Sequence, residues 1–313
     1  MKSKAALVLA TAFVVLFVGG GARFAIGLTF KPMVEDLGWT RGQLGLAVGL
    51  YMVVSALATF AGGRLADRAS PRLLLMLGTL VGGAGLGLMA FVAAPWHAML
   101  FYGIVFAVGN GAASMAPVSV MVTRVMPGRA GLANAAAMSG LSVGQLVMMA
   151  ALTLVLVATG WRAVFGWLAF AHLAMVALLW ALLPREPRGE HAAAASAGMD
   201  LGAALRTRRF WVLAGLYAIC GMDDFFVTTH VVAFAQDKGI GAVLAGNLLA
   251  LMGLAALVGV LLGGVFSDRF GPAATTAITF VLRIAVFGFI LLVVFGVVAL
   301  VRTLVRARRH PAS

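Results

Sequence analysis

Apolar residues along this chain fall into long charge-free blocks, among them Leu44–Gly63, Leu73–Trp96, Ala98–Thr123, Ala130–Trp161 and Ile240–Ser267. Short clusters of Arg, Asp, Gly and Pro separate them. Each block reaches the roughly 20 residues that a helix needs to cross a bilayer. The blocks are rich in Leu, Ala, Gly and Val and lack the strict alternation of a barrel strand. Helices that satisfy their own backbone in lipid are therefore expected. The pattern predicts nine spans, near 6–29, 42–62, 73–94, 97–122, 130–157, 162–183, 210–235, 242–264 and 273–301. The predicted fold class is an all-α integral membrane bundle.

Composition sharpens this picture. Hydrophobic residues make up 63% of the 313, charged residues 11%, and mean hydropathy is +1.06, far from the balance of a water-soluble domain. The formal charge of +13 raises the question of a nucleic-acid partner. Placing the charges answers it. With the N-terminus inside, the inner side holds Lys2, Lys4, Arg64, Arg68, Arg72, Arg124, Arg129, Arg185, Arg188, Arg206, Arg208, Arg209 and Arg269, against Lys31, Arg41, Arg162 and Lys238 outside. That asymmetry is the positive-inside signal of a multi-pass plasma-membrane protein, such as one of a bacterial inner membrane, and leaves nucleic acid without support. Lipid is the expected surroundings. The lone Cys220 offers neither a disulfide nor a metal cluster, and the opening "MKSK" with its apolar run reads as a first span rather than a cleaved leader. Neither a nucleotide loop, metal-ligand spacing nor a nucleophile triad stands out, so the expectation is no enzyme, no cofactor and no metal.

The longest polar stretch, Pro184 to Phe210, suits a linker with a short surface helix near Leu201–Arg206. The expected organisation is a six-helix unit over 1–183, a cytoplasmic linker over 184–209, three further helices over 210–301 and a basic tail over 302–313.

Two loops repeat. "GRLADR" spans Gly63 to Arg68 and "GVFSDR" spans Gly264 to Arg269, with Asp67 and Asp268 lying 201 residues apart. Duplication of a six-helix unit places such loops on the same side, after the second and eighth spans. These residues resemble the G-x-x-x-D-R-x-G-R-R/K loop of the major facilitator superfamily of secondary transporters. The first copy keeps Gly63, Asp67, Arg68 and Arg72 but has Ser70 and Pro71 where Gly and Arg are usual. The second keeps Gly264, Asp268, Arg269 and Gly271 and breaks off at Pro272. Glycine permits close helix approach, Asp suits a positive helix end, and Arg braces the turn. The resemblance implies a conformational clasp, with the second copy docking near Pro127–Gly131. Further stretches, "GLTFKPMVEDLGWTRGQLGLA", "RAGLANAAAMSGLSVGQ", "GWR" and "THVVAFAQDKGI", resemble the monocarboxylate and oxalate/formate branch. That likeness implies alternating-access symport of a small organic anion.

Ionisable groups inside a bilayer are functional candidates by default. Arg23, in "GGGARFAIG", either pairs with a substrate carboxylate or snorkels to the headgroups. In "GMDDFFVTTH", Asp223 and His230 share a helical face and Asp224 lies about 100° round. They either relay a proton or, for the two carboxylates, pair with Arg23 or Arg283 while His230 meets water. Asn134 and Gln145 share a face and, with Asn110 and Asn247, either line a central cavity or bond between helices. Tyr51, Phe225 and Phe226 are candidates to pack beside a substrate or to serve as core.

Two full six-helix units need more chain than this, and the expectation is that helices ten to twelve are missing. The tail "VRTLVRARRHPAS" carries Arg302, Arg306, Arg308 and Arg309 on the side the charge rule disfavours. A truncated transporter, a short form completed by a partner chain's helices, and a non-transporting membrane remnant are the resulting alternatives. Drug or neutral-metabolite efflux is the rival transport reading.

Overall fold

The computed structural model describes residues 2–126, 130–183, 201–271 and 273–286. Side chains 2–4, 67, 68, 130–132, 201, 204, 264, 267 and 268 within those helices are outside the description. The described chain falls into two units, Met1–Leu257 and Val258–Ser313.

Among the described residues of the first unit, every regular element is a helix. Helices α1 (Lys2–Leu37), α2 (Arg41–Arg68) and α3 (Pro71–Met89) lead into a composite fourth span, α4 (Pro95–Val125). Then come α5 (Ala130–Thr159), α6 (Trp161–Leu182), a short helix Leu201–Leu205, α7 (Arg208–Asp237) and α8 (Ala242–Phe270). All eight numbered helices are long and apolar enough to cross a membrane. Each apolar block of the sequence thus becomes one span. The ninth expected span begins as helix α9, Ala273–Val286, and its remainder, 287–301, lies outside the described residues.

Helix ends follow local chemistry. Gly38, Gly160 and Gly239 hold φ of 65°, 88° and 83° between successive helices, a region open to glycine at little cost. In "GWTRGQ", Thr40 opens α2 with a reciprocal cap. The Gln43 N–H donates to Thr40 Oγ1 at 3.3 Å, and the Thr40 N–H donates to Gln43 Oε1 at 2.9 Å. Pro71, one of the two residues that depart from the usual loop motif, sits at the first position of α3, where its missing N–H costs nothing.

α1 is the central element. Its 36 residues span about 54 Å, more than the roughly 30 Å hydrocarbon layer, so its far end carries Lys31, Glu35 and Asp36 beyond the apolar stretch. It packs on α5, α6 and α7. At the α1–α5 crossing a Cβ on Gly20 would meet the Leu141 carbonyl oxygen at 2.7 Å. The "GGG" run therefore brings a neighbouring helix close, the packing role of small residues in membranes. Phe30, Met33, Leu44, Tyr102, Phe106 and Phe165 are fully buried around it. α7, by contrast, leaves Trp211, Tyr217 and Phe226 exposed, an apolar face suited to lipid or another helix rather than water.

α4 is irregular. A π-helical stretch, Met99–Phe106, interrupts it, and a break at Ala113–Ser114 precedes Met115–Val125. Such π segments shift side chains relative to the helix either side of them. Here the stretch carries the buried Tyr102 and Phe106.

In the second unit, α8 ends at Phe270 and Gly271 turns the chain with φ 83°. The Thr275 N–H and hydroxyl both donate to the Gly271 carbonyl, at 3.2 and 3.0 Å, fixing the start of α9.

Candidate functional site

A cavity of about 860 Å³ opens among α1, α2, α4, α5 and α7. Its polar wall is one face of α2, where Tyr51, Ser55 and Thr59 recur every fourth residue and so stack on one side of a helix. Gly63 and Arg64 continue this wall, about 18 Å along the axis from Tyr51 at the helical rise. The remaining lining is largely apolar.

Arg23 of α1 enters this cavity. Its guanidinium stands 3.9 Å from the Asp224 carboxylate of α7, too far for a hydrogen bond. It also lies 5.3 Å from the Phe225 ring centre and 5.5 Å from that of Phe24, within cation–π reach. Among the described residues these are its side-chain partners, so its planar fork of donors remains open to an acceptor. The Tyr102 hydroxyl donates to the Arg23 backbone carbonyl at 3.3 Å, holding the α1 backbone at this point.

An aromatic stack braces the same corner. Tyr51 lies 4.8 Å from Tyr102, 5.5 Å from Phe106 and 5.6 Å from Phe225, centre to centre, all at small interplanar angles. The Asn110 amide donates to the Tyr51 hydroxyl at 2.8 Å. The π stretch of α4 supplies two of these rings, α2 one and α7 one.

The structure brings Arg23, Asn110, Asp224, Tyr51 and Phe225 together. It places the other amides elsewhere. Asn134 donates to Thr123 Oγ1 at 3.1 Å, joining α5 to the end of α4. Gln145 is buried and donates to the Leu249 carbonyl of α8 at 3.2 Å, the interhelical alternative. Asn247 is half-buried on α8, outside the lining of this cavity. Asp223 is half-buried beside Asp224. His230, one helical face on, lies against Phe30 at 5.3 Å and Phe226 at 5.0 Å.

Of the first repeat loop, Gly63 lines the cavity, and the Arg72 guanidinium donates to the Trp180 carbonyl at 2.6 Å, tying α3 to α6. The side chains of Asp67 and Arg68 fall outside the described residues. In the second loop Arg269 covers the Phe270 ring at 5.5 Å and Gly271 makes the positive-φ turn. The Gly264 and Asp268 side-chain positions, and residues 127–129 where docking was expected, lie outside the description.

Sequence reasoning missed Ser55, Thr59 and Tyr102, and counted Arg64 only among the inner-side charges. The four-residue recurrence on α2 was the signal for the first two. At the opposite end of the bundle it also missed an ion cluster. Lys31 Nζ lies 3.0 Å and Arg41 Nη2 2.6 Å from the Asp237 carboxylate. Asp36 accepts from Arg162 at 2.6 Å and from the Trp161 indole at 3.1 Å. The "KPMVED", "WTR", "GWR" and "AQDKG" stretches thus meet at that end.

The comparisons with known proteins agree with this architecture. The sequence profile of the Major Facilitator Superfamily matches residues 12–305, and the chain belongs to that family. The Uncharacterized MFS-type transporter YbcL of Bacillus subtilis (strain 168) is 23% identical over 269 residues, covering 84% of this chain and 66% of its own length. Multidrug resistance protein MdtH of Yersinia enterocolitica is 38% identical over 63 residues, 20% of this chain and 16% of MdtH. Among solved structures, a bacterial homolog of the human lysosomal transporter Spinster superposes with a TM-score of 0.73 at 20% identity, over 87% of this chain and 64% of that one. The chain therefore spans less than two thirds of the length of these relatives.

Proposed function

We propose that the chain is part of a secondary transporter for organic anions and that the anion's carboxylate binds Arg23. One observation carries the reading. The Arg23 guanidinium, on a backbone anchored by the Tyr102 hydroxyl and without a hydrogen-bonded carboxylate, faces a cavity of about 860 Å³. A substrate carboxylate would gain paired charge-assisted hydrogen bonds there, its body would meet the Tyr51 and Phe225 rings, and Asn110 would hold Tyr51 in register. Asn134, Gln145 and Asn247 take interhelical or peripheral roles in this account. Asp224 is the group whose pairing with Arg23 an arriving anion displaces. Proton coupling would then run through Asp224, with Asp223 and His230 as its neighbours on α7.

We read the chain as a six-helix unit over 1–183, a linker over 184–209 and helices of a second unit over 210–301. The N-terminus is placed in the cytoplasm on the charge asymmetry. Gly63, Asp67, Arg68, Arg72, Gly264, Asp268, Arg269 and Gly271 form the conformational clasp. The organic anion resembles the monocarboxylate class to which the α1 and α7 end stretches point.

Export of drugs or neutral metabolites is favoured by one observation, the short likeness to a protein named for multidrug resistance, together with the apolar remainder of the cavity wall. Arg23→Gln in reconstituted vesicles separates the two. Under the anion reading, uptake of radiolabelled lactate, oxalate or benzoate collapses. Under the rival, movement of a neutral lipophilic dye persists and no carboxylate is moved by the parent protein.

A further inference from the structure

Behind the cavity lies a second, much smaller space of about 10 Å³ between α1, α3, α4 and α6. It arises where glycines carry the α3–α4 crossing. A Cβ on Gly78 would meet the Gly109 carbonyl at 2.8 Å, so the backbones touch and the gap between them is left to a few side chains. Three of those are polar: Thr79 of α3, Asn110 of α4 and His172 of α6.

Each has hydrogen-bonding capacity that no group among the described residues takes up. His172 is only 5% exposed, and its Nδ1 lies 2.8 Å from the Leu168 carbonyl. A carbonyl oxygen only accepts, so Nδ1 carries a proton, and in the neutral ring Nε2 is then an acceptor. Among the described residues that Leu168 bond is its hydrogen bond. Thr79 is 4% exposed. Thr11, Thr29, Thr153 and Thr228 each donate to a carbonyl one turn back, whereas Thr79 makes no such bond. Asn110 spends its amide N–H on Tyr51. Its Oδ1 lies on the Gly19 side, 3.6 Å from where a Gly19 Cβ would stand, and Gly19 lines the same chamber.

Polar groups left unpaired away from bulk water are costly, and a chamber of this size fits about one water. We infer that Thr79, Asn110 and His172 form a built site for a single water, and that Thr79 and His172 thereby position Asn110 and the Tyr51 wall of the cavity. The water accepts from the Thr79 hydroxyl and donates to His172 Nε2 and Asn110 Oδ1, so the Thr79 donor and both of those acceptors are paired with neutral His172. Asn110, which lines both spaces, carries the effect forward, since its Oδ1 is held by the water while its Nδ2 holds Tyr51. The chamber's lining holds no charged group. Beyond it, α4 presents Phe106 at 6.4 Å from the His172 ring, and Tyr51 and Tyr102 lie 5.5 and 5.2 Å from Phe106, with Arg23 next to them in the cavity.

Magic-angle-spinning NMR on the full chain in lipid vesicles, with ¹⁵N-labelled histidine, tests the site without any ligand. The His172 signals are identified by their loss in His172→Phe. The expected result is a protonated Nδ1, an unprotonated Nε2, and magnetisation reaching Nε2 from water protons. Thr79→Val should weaken that transfer and Thr79→Ser should restore it. A dry Nε2, or one that itself carries the proton, overturns the site. The positioning role has a separate reading. Binding of a radiolabelled carboxylate should weaken about tenfold in Thr79→Val, the loss of roughly one hydrogen bond's worth of order, and recover in Thr79→Ser. Unchanged binding in Thr79→Val overturns the positioning claim. If the parent protein binds no carboxylate, the anion reading fails and the water transfer still decides the site.

Discussion

Arg23 and Asp224 face each other across α1 and α7 at 3.9 Å, with Asp224 half-exposed and Arg23 less so. The pair is close enough to neutralise an empty site electrostatically and too far apart to consume the guanidinium's donors. A carboxylate ligand competes with Asp224 for the same fork. Asp224→Asn removes that competitor. The expected outcome is tighter carboxylate binding, by about tenfold at saturating pairing, in an equilibrium assay with a radiolabelled carboxylate. Weaker binding would instead make Asp224 a ligand-side group.

Tyr51 joins the aromatic stack to the Asn110 amide. Tyr51→Phe keeps the ring stack and removes the acceptor, so carboxylate affinity should fall about three- to tenfold, the range of one neutral hydrogen bond. Thermal unfolding in detergent should barely move. A large drop in melting temperature would show that the hydroxyl is structural.

The α1–α5 crossing depends on glycine. Gly20→Val places a Cβ 2.7 Å from the Leu141 carbonyl, and rigid backbone cannot yield as a side chain end does. The expected destabilisation is about 1–3 kcal/mol, the usual cost of overpacking, read as a lower denaturant midpoint in detergent. A midpoint equal to the parent's would mean the crossing is looser than described.

At the opposite end of the bundle Asp237 receives both Lys31 and Arg41. Asp237→Asn removes the charge that links α1, α2 and α7. In a Cys220→Ala background, a cysteine introduced at Phe30 should then react faster with a membrane-impermeant maleimide, and the gain should shrink in high salt, which screens the parent's pairing as well. Equal rates in both proteins would show that these ion pairs do not govern access.

The spans were legible because charge-free blocks of 20 or more residues have few alternatives in lipid. The repeat loops stand out in the sequence because Gly-x-x-x-Asp-Arg recurs at Gly63 and Gly264 at a spacing that suits a duplication; their clasp role stays a proposal. Arg23 stood out as an unusual charge in an apolar run. What the sequence hid depends on three-dimensional convergence. Nothing in "MLFYGIVF" marks a π stretch, so the approach of Tyr102 and Phe106 to Tyr51 could not be read. Asn134 and Gln145 share a helical face, but that face turns to Thr123 at one end and to Leu249 at the other, because neighbouring helices offer partners before any cavity does. The buried His172 drew no notice, since a lone histidine in an apolar span has no local signature until Thr79 and Asn110 are brought beside it.

The account centres on Arg23 as the anion contact, and equilibrium binding tests it most directly. Purified protein and its Arg23→Gln and Arg23→Lys variants would be titrated with radiolabelled acetate, lactate, oxalate and benzoate by scintillation proximity. The account predicts that at least one carboxylate binds the parent and weakens by about tenfold or more in Arg23→Gln, as expected for loss of a charge-assisted pair, with partial retention in Arg23→Lys. Binding that is equal in parent and Arg23→Gln, or no binding of any of the four to the parent, would contradict it.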